Sequence, residues 1–172
     1  MTNSATEIRG WLSGRLPSEW FIDTVAVTVD KDEVLIEGRL AEPAVAEGAD
    51  EAEQAAAGRG AIERFREQTR GTRIEIAREL EYRSGKRVSW GARCGAETVL
   101  FTTASVPVMT RLRQPERQVL DTLVDAGVAR SRSDALGWCV RLVGSRSDTW
   151  LADLRTAMSH VEEVRQQGPG AA

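Results

Sequence analysis

The apolar positions of the chain change period several times, and each change marks an element. Ile8, Trp11 and Leu12 recur at the i, i+3, i+4 spacing of one helical face between Thr6 and Leu16, and Pro17 closes that segment. From Thr24 the period drops to two. Val25, Val27 and Val29 alternate with Thr24, Ala26 and Thr28; Asp30-Lys31-Asp32 supplies turn chemistry; Val34, Ile36 and Gly38 then alternate again. This predicts a β-hairpin. Helical spacing returns from Ala61 to Tyr82 through Ile62, Phe65, Thr69, Thr72, Ile76 and Leu80, with Gly71 as the expected kink. Trp90 and Ala92, then Val99 and Phe101, alternate around a Gly95-Ala96 turn and predict a second hairpin. The order α-β-β-α-β-β over residues 1–103 predicts an α+β module. Its simplest form is one four-stranded antiparallel sheet with both helices on one face.

Two stretches of this half lack such periodicity. Glu19-Trp20-Phe21 is a compact aromatic plug, expected to pack the first helix onto the hairpin. Residues 41–60, AEPAVAEGADEAEQAAAGRG, are rich in Ala, Glu and Gly and poor in large apolar residues. Such a segment buries too little surface to offset its ordering entropy, and it reads as a flexible acidic loop with helical character near Glu51–Ala57.

The last part of the chain is helical, with one extended exception. In Ser105–Leu112, Val106, Val108, Thr110 and Leu112 share one face, and Pro107, Met109 and Arg111 the other. A helix over Gln114–Ala126 follows, with Pro115 in its first turn and Val119, Leu120, Leu123 and Val124 apolar. Gly127 fits its C-cap. Ser131 or Ser133 caps a second helix carrying Ala135, Leu136, Trp138, Cys139, Leu142 and Val143. Asp148 opens a third, in which Trp150, Leu151, Leu154, Met158, Val161 and Val164 keep helical spacing. Residues 166–172 read as a disordered tail.

Strand, helix, glycine stop, Ser-capped helix: over residues 105–144 this order resembles the ribbon-helix-helix DNA-binding family of the MetJ/Arc/CopG class. The resemblance implies a C-terminal domain over 104–165, built as a ribbon-helix-helix plus one extra helix. It implies a homodimer, since each protomer of that family contributes a lone strand and two helices, too small a core to stand alone. Val106, Val108, Leu112, Leu136, Trp138 and Leu142 would form the dimer interface. The paired ribbon would enter the major groove of duplex DNA. Met109 and Arg111 would face the bases, with Arg113 beside them, and Arg130, Arg132 and Ser133 would flank a phosphate at the second helix start. That helix start also reads as a plain cap with surface arginines. Pro107 and Met109 depart from the polar base readers of the family. The resemblance thus implies backbone and shape contacts above base reading, in a transcriptional regulator or nucleoid-associated protein. The alternative is a diverged dimer that binds a protein partner as an adaptor.

Charge sharpens one further point. The chain of 172 residues carries a formal net charge of −3 with 41% hydrophobic residues, ordinary for a globular protein. The balance is uneven: residues 1–58 hold 4 basic and 12 acidic side chains, 59–93 hold 10 and 5, and 94–172 hold 9 of each. An anionic partner is drawn to the middle of the chain. There Arg66, Arg70 and Arg73 recur at i, i+4, i+7, a stripe suited to tracking phosphates or to pairing with Glu63, Glu67 and Glu75. Other chemistry finds little footing. Cys94 and Cys139 lack metal spacing, His160 is the lone histidine, and no nucleophile–base pair or Gly-rich phosphate loop stands out. The acids Asp30, Asp32 and Glu33 lack the register of a calcium loop. No run approaches the roughly 18 apolar residues of a membrane span, and no leader pattern opens the chain. The expectation is a cytoplasmic, non-enzymatic protein without metal or cofactor.

Overall fold

The computed structural model describes residues 4–167, excluding the side chains of 162–164, 166 and 167. The chain divides into two compact units, 1–107 and 108–172. The boundary falls inside the segment expected to form the ribbon.

In the first unit, α1 (Ala5–Arg15) starts at a capping box in which Ser4 Oγ accepts from the Glu7 amide and Glu7 reaches back to Ser4 N. Its Ile8 and Leu12 are fully buried. Strands β1 (Ala26–Val29) and β2 (Glu33–Arg39) pair antiparallel, with Val27 opposite Ile36. Asp30 Oδ1 holds their turn by accepting from the Asp32 and Glu33 amides at 2.8 and 2.7 Å. Helices α2 (Glu51–Gln68) and α3 (Arg70–Ser84) follow, then an antiparallel pair, β3 (Arg87–Cys94) and β4 (Glu97–Leu100). The alternation expected in both hairpins is present: Val25, Val27, Val34, Ile36, Trp90, Ala92 and Phe101 are buried in one cluster with Ile62, Phe65, Ile76 and Leu80.

Three expectations change. The sheet is not antiparallel throughout. Its order is β1-β2-β3-β4, and the central pair, β2 and β3, runs parallel from Glu33↔Arg87 to Arg39↔Arg93. The helices α2 and α3 form the crossover that returns the chain to the same end of the sheet, which a parallel pair requires. The second change is in the acidic segment, whose residues 51–60 are helical. Asp50 Oδ1 caps α2 through the Glu53 amide at 2.8 Å, and an Ala-rich first half propagates the turn. Gly58 belongs to the buried side of α2, where a Cβ would stand 3.0 Å from the Cys94 carbonyl oxygen. Finally, the long helix breaks at Thr69, with φ −98° and ψ 3°, rather than at Gly71.

The aromatic plug packs as expected. Trp20 lies edge-on to Phe65 at 5.4 Å and Phe21 lies 5.2 Å from the same ring. Phe21 also covers Gly38 of β2 so closely that a Cβ there would fall on its ring.

The second unit comprises α4 (Gln114–Asp125), α5 (Arg132–Arg146) and α6 (Asp148–Gln167). Gly127, at φ +74°, ends α4 in the left-handed conformation that glycine adopts freely. Ser131 Oγ caps α5 by accepting from the Asp134 amide at 3.2 Å. Residues 102–113 form no regular element within the single chain. The expected core set of the ribbon is therefore open, with Val106 and Val108 exposed and Leu112 half-buried against the α4–α5 cluster. A lone strand has no ladder partner inside one chain, and a ribbon needs a second copy. The Val164 side chain lies outside the described residues. The expected disordered tail has its first two residues, 166 and 167, in α6 and otherwise also lies outside them.

Gly38→Ala is expected to lower the stability of the first unit by about 2 kcal/mol, the usual scale for overpacking a filled core. Denaturant unfolding of the full chain followed by tryptophan fluorescence checks this; an unchanged midpoint would show that the Phe21 ring can shift freely.

Candidate nucleic-acid and dimer interface

The second unit buries very little. Leu120, Ala129 and Ala135 are its buried hydrophobic residues among those described, with Leu112, Leu123, Val124, Leu136 and Cys139 partly covered around them. Trp138 and Leu142 are half-buried. Outside that cluster, Val119, Val128, Val140, Val143, Trp150, Leu154, Met158 and Val161 are exposed. Side chains of this size each gain roughly 1.5–3 kcal/mol on full burial. Many large apolar side chains of this unit are thus left in water. Of the expected dimer residues, Leu112 and Leu136 pack on the small core, while Val106 and Val108 stand open.

The expected DNA-contacting residues of this unit separate into two sets. Met109 is 96% exposed, and Arg111 and Arg113 are exposed with no ion pair among the described residues. Arg113 also serves as the N-cap residue of α4, its carbonyl accepting from the Arg117 amide at 3.1 Å. These cations are free to meet an anion.

The start of α5 is more committed. Arg132 grips Asp121 of α4 with two bonds, Nε to Oδ1 at 2.6 Å and Nη2 to Oδ2 at 2.7 Å. This bidentate pair staples α5 to α4 and holds the Asp121 carboxyl below its ordinary range, while raising the Arg132 guanidinium. Asp134 Oδ2 accepts from the Arg130 amide at 3.0 Å, and that bond, with the nearby Arg130 charge, lowers its carboxyl too. The Arg130 side chain, 95% exposed, stands 3.7 Å from Asp134. Ser133 is exposed in the first turn of the helix. A phosphate arriving here would share the helix start with the Asp134 carboxylate, which already occupies the positive end of the dipole. Asp121 escaped the sequence reading because nothing in its local spacing reports a partner across the Gly127 turn.

The stripe at 66, 70 and 73 lies in the first unit. Arg66 and Arg70 are exposed, but Arg73 is 7% exposed and its guanidinium lies 4.7 Å from the centroid of Phe101. It shares the buried side of α3 with Ile76 and Leu80. Arg73 Nε donates to Thr69 Oγ1 at 2.9 Å and Nη2 to the Arg66 carbonyl at 2.7 Å. Burial, followed by the charges of Arg66 and Arg70, lowers its pKa from the ordinary value. The three residues are therefore not one even surface stripe, and none forms an ion pair with Glu63, Glu67 or Glu75 among the described residues.

Residues 6–100 match the family model of the Rv1265-like protein N-terminal domain, and residues 113–165 match that of the Mb1296 C-terminal domain. Mb1296 of Mycobacterium bovis is 55% identical over 159 residues, which span 92% of this chain and 69% of that relative. Rv1265 of Mycobacterium tuberculosis is similar to the same extent over the same shares. No solved structure matches the chain.

The Asp121–Arg132 pair has a direct signature. Because the folded carboxyl is depressed, its stabilising contribution is present above the ordinary carboxylate range and is lost as pH falls through the lowered folded value. Carbon-detected NMR titration should find the Asp121 midpoint below the ordinary value, returning toward it in Arg132→Gln. Equal midpoints in the two proteins would remove the pair.

Proposed function

This chain belongs to the Rv1265-like family, and we propose that it acts as a homodimeric DNA-binding protein that holds duplex DNA mainly by backbone and shape contacts. The observation that carries the reading is the unburied apolar surface of the second unit beside the uncommitted cations Arg111 and Arg113. Helix, left-handed glycine and Ser-capped helix follow an extended segment in ribbon-helix-helix order. A second copy would supply the missing strand partner and cover Val106, Val108 and the open faces of α4 and α5. The paired segments would then carry Arg111 and Arg113 twice, across a two-fold axis, at the spacing of a groove.

Base reading in this proposal is slight. Met109 offers apolar contact alone, Pro107 has no donor, and Arg132 is already gripped by Asp121. A transcriptional regulator or nucleoid-associated protein that depends on phosphate contacts fits these residues. It works without catalysis, metal or cofactor. A cytoplasmic setting goes with contact to DNA; among the described residues no helix is long and apolar enough to cross a membrane. The second reading is an adaptor dimer that binds protein instead of DNA. Two carboxylates beside Arg130 and Arg132, and the exposed apolar Met109, favour it.

A fluorescence-anisotropy titration of the full chain on generic duplex DNA separates the two. DNA binding predicts affinity falling steeply with salt, and a log–log slope reduced by about 2 in Arg111→Gln, one phosphate contact from each protomer. No binding at low salt would reject this reading and leave the adaptor.

A further inference from the structure

The basic cluster at the α2–α3 break differs from the arginines that form ion pairs. Arg15, Arg39, Arg59, Arg130 and Arg132 each meet a carboxylate, namely Glu79, Asp23, Glu97, Asp134 and Asp121. Arg66, Arg70 and Arg73 meet none among the described residues. Their charges are nonetheless held close. The guanidinium carbons of Arg66 and Arg73 lie 5.8 and 4.7 Å from the centroid of one ring, that of Phe101. The ring face attracts each cation but does not neutralise it.

Arg73 sharpens the imbalance. It is nine-tenths buried, yet its two hydrogen bonds go to a hydroxyl and a backbone carbonyl, both neutral. A guanidinium carries five N–H donors, so further donor capacity remains after those two bonds. Burying an uncompensated charge is costly, and placing two more cations beside it raises that cost. Evenly spread surface arginines would avoid each other. Here the Thr69 hydroxyl and the Phe101 ring hold Arg73, the ring also faces Arg66, and Arg70 is near enough for its charge to act on Arg73.

We propose that the Arg66–Arg70–Arg73 cluster is a binding site for a phosphate group, with Arg73 as its fixed, largely buried donor and the exposed Arg66 and Arg70 closing over the anion from the rim. A tetrahedral dianion would offset two of the three positive charges and offer several acceptor oxygens to the guanidinium donors. It would supply the counter-charge that the protein itself withholds. The site belongs to the first unit and does not depend on the dimer or its ribbon. The phosphate can come from the DNA backbone or from a free phosphate compound.

The test uses the full chain and inorganic phosphate, with thermal unfolding at constant ionic strength set by chloride. The expected result is a melting temperature that rises and saturates with phosphate. In Arg66→Gln/Arg70→Gln the rise is lost while the melting temperature in chloride is retained or raised, since both side chains are exposed and their repulsion of Arg73 is relieved. An equal rise in the variant would mean a general salting effect and would overturn the site; so would no rise in the unaltered chain. Arg73→Lys adds a check that keeps the charge but loses the planar fork, and the site predicts a weaker phosphate response there. The source is decided by the salt slope of DNA binding. A slope reduced in Arg66→Gln/Arg70→Gln assigns the site to backbone phosphates. An unchanged slope beside a lost phosphate response assigns it to a free phosphate compound. A chain that binds no DNA would end the DNA-binding reading, while the phosphate response would still decide this one.

Discussion

Burial of apolar surface is the term on which the structure depends, and the two units satisfy it very differently. The first closes a continuous core from α1, both hairpins and the α2–α3 crossover, with Ile8, Leu12, Ile36, Ile62, Ile76 and Leu80 almost completely hidden. The second hides Leu120, Ala129 and Ala135 and leaves a row of larger side chains in water. A unit of that kind does not have the apolar gain to offset the ordering of three helices by itself. Its capping and its Asp121–Arg132 staple fix geometry, but exposed ion pairs of this kind contribute little stability. That imbalance is what the proposed second copy would relieve.

In the first unit the parallel β2–β3 ladder is the organising feature. It joins two hairpins that would otherwise each be marginal alone. It also dictates a long crossover, and so places α2 and α3 over the sheet face that carries Val34, Ile36, Trp90 and Ala92. On the α3 part of that crossover, Arg73 shares the buried side with Ile76 and Leu80 and reaches the Phe101 ring, 4.7 Å from its centroid.

Much of this was legible in the residues, and the failures have physical causes. Period-two runs of valine marked the hairpins because one face of each is buried and register is then strongly specified. Gly127 and Ser131 marked the turn between α4 and α5 because left-handed and capping positions restrict residue choice. The direction of β2 against β3 was not legible, because local alternation is the same in parallel and antiparallel pairing. Helical character near Glu51–Ala57 was legible, but not its continuation into one helix to Gln68: Ala and Glu form helix readily yet bury little, and the close Gly58–Cys94 packing leaves no local signal. Arg73 was read as part of a surface stripe because arginine is usually solvated, although the helical spacing of Phe65, Thr69, Ile76 and Leu80 sets position 73 at the edge of the buried face.

The central claim is that the second unit is completed by another copy of the chain. Sedimentation equilibrium of the full chain over a wide concentration range tests it most directly. The account predicts twice the chain mass, falling to the single mass on dilution, with loss of helical signal as α4, α5 and α6 lose their cover. A single-chain mass at every concentration, with the helical signal intact, would contradict it.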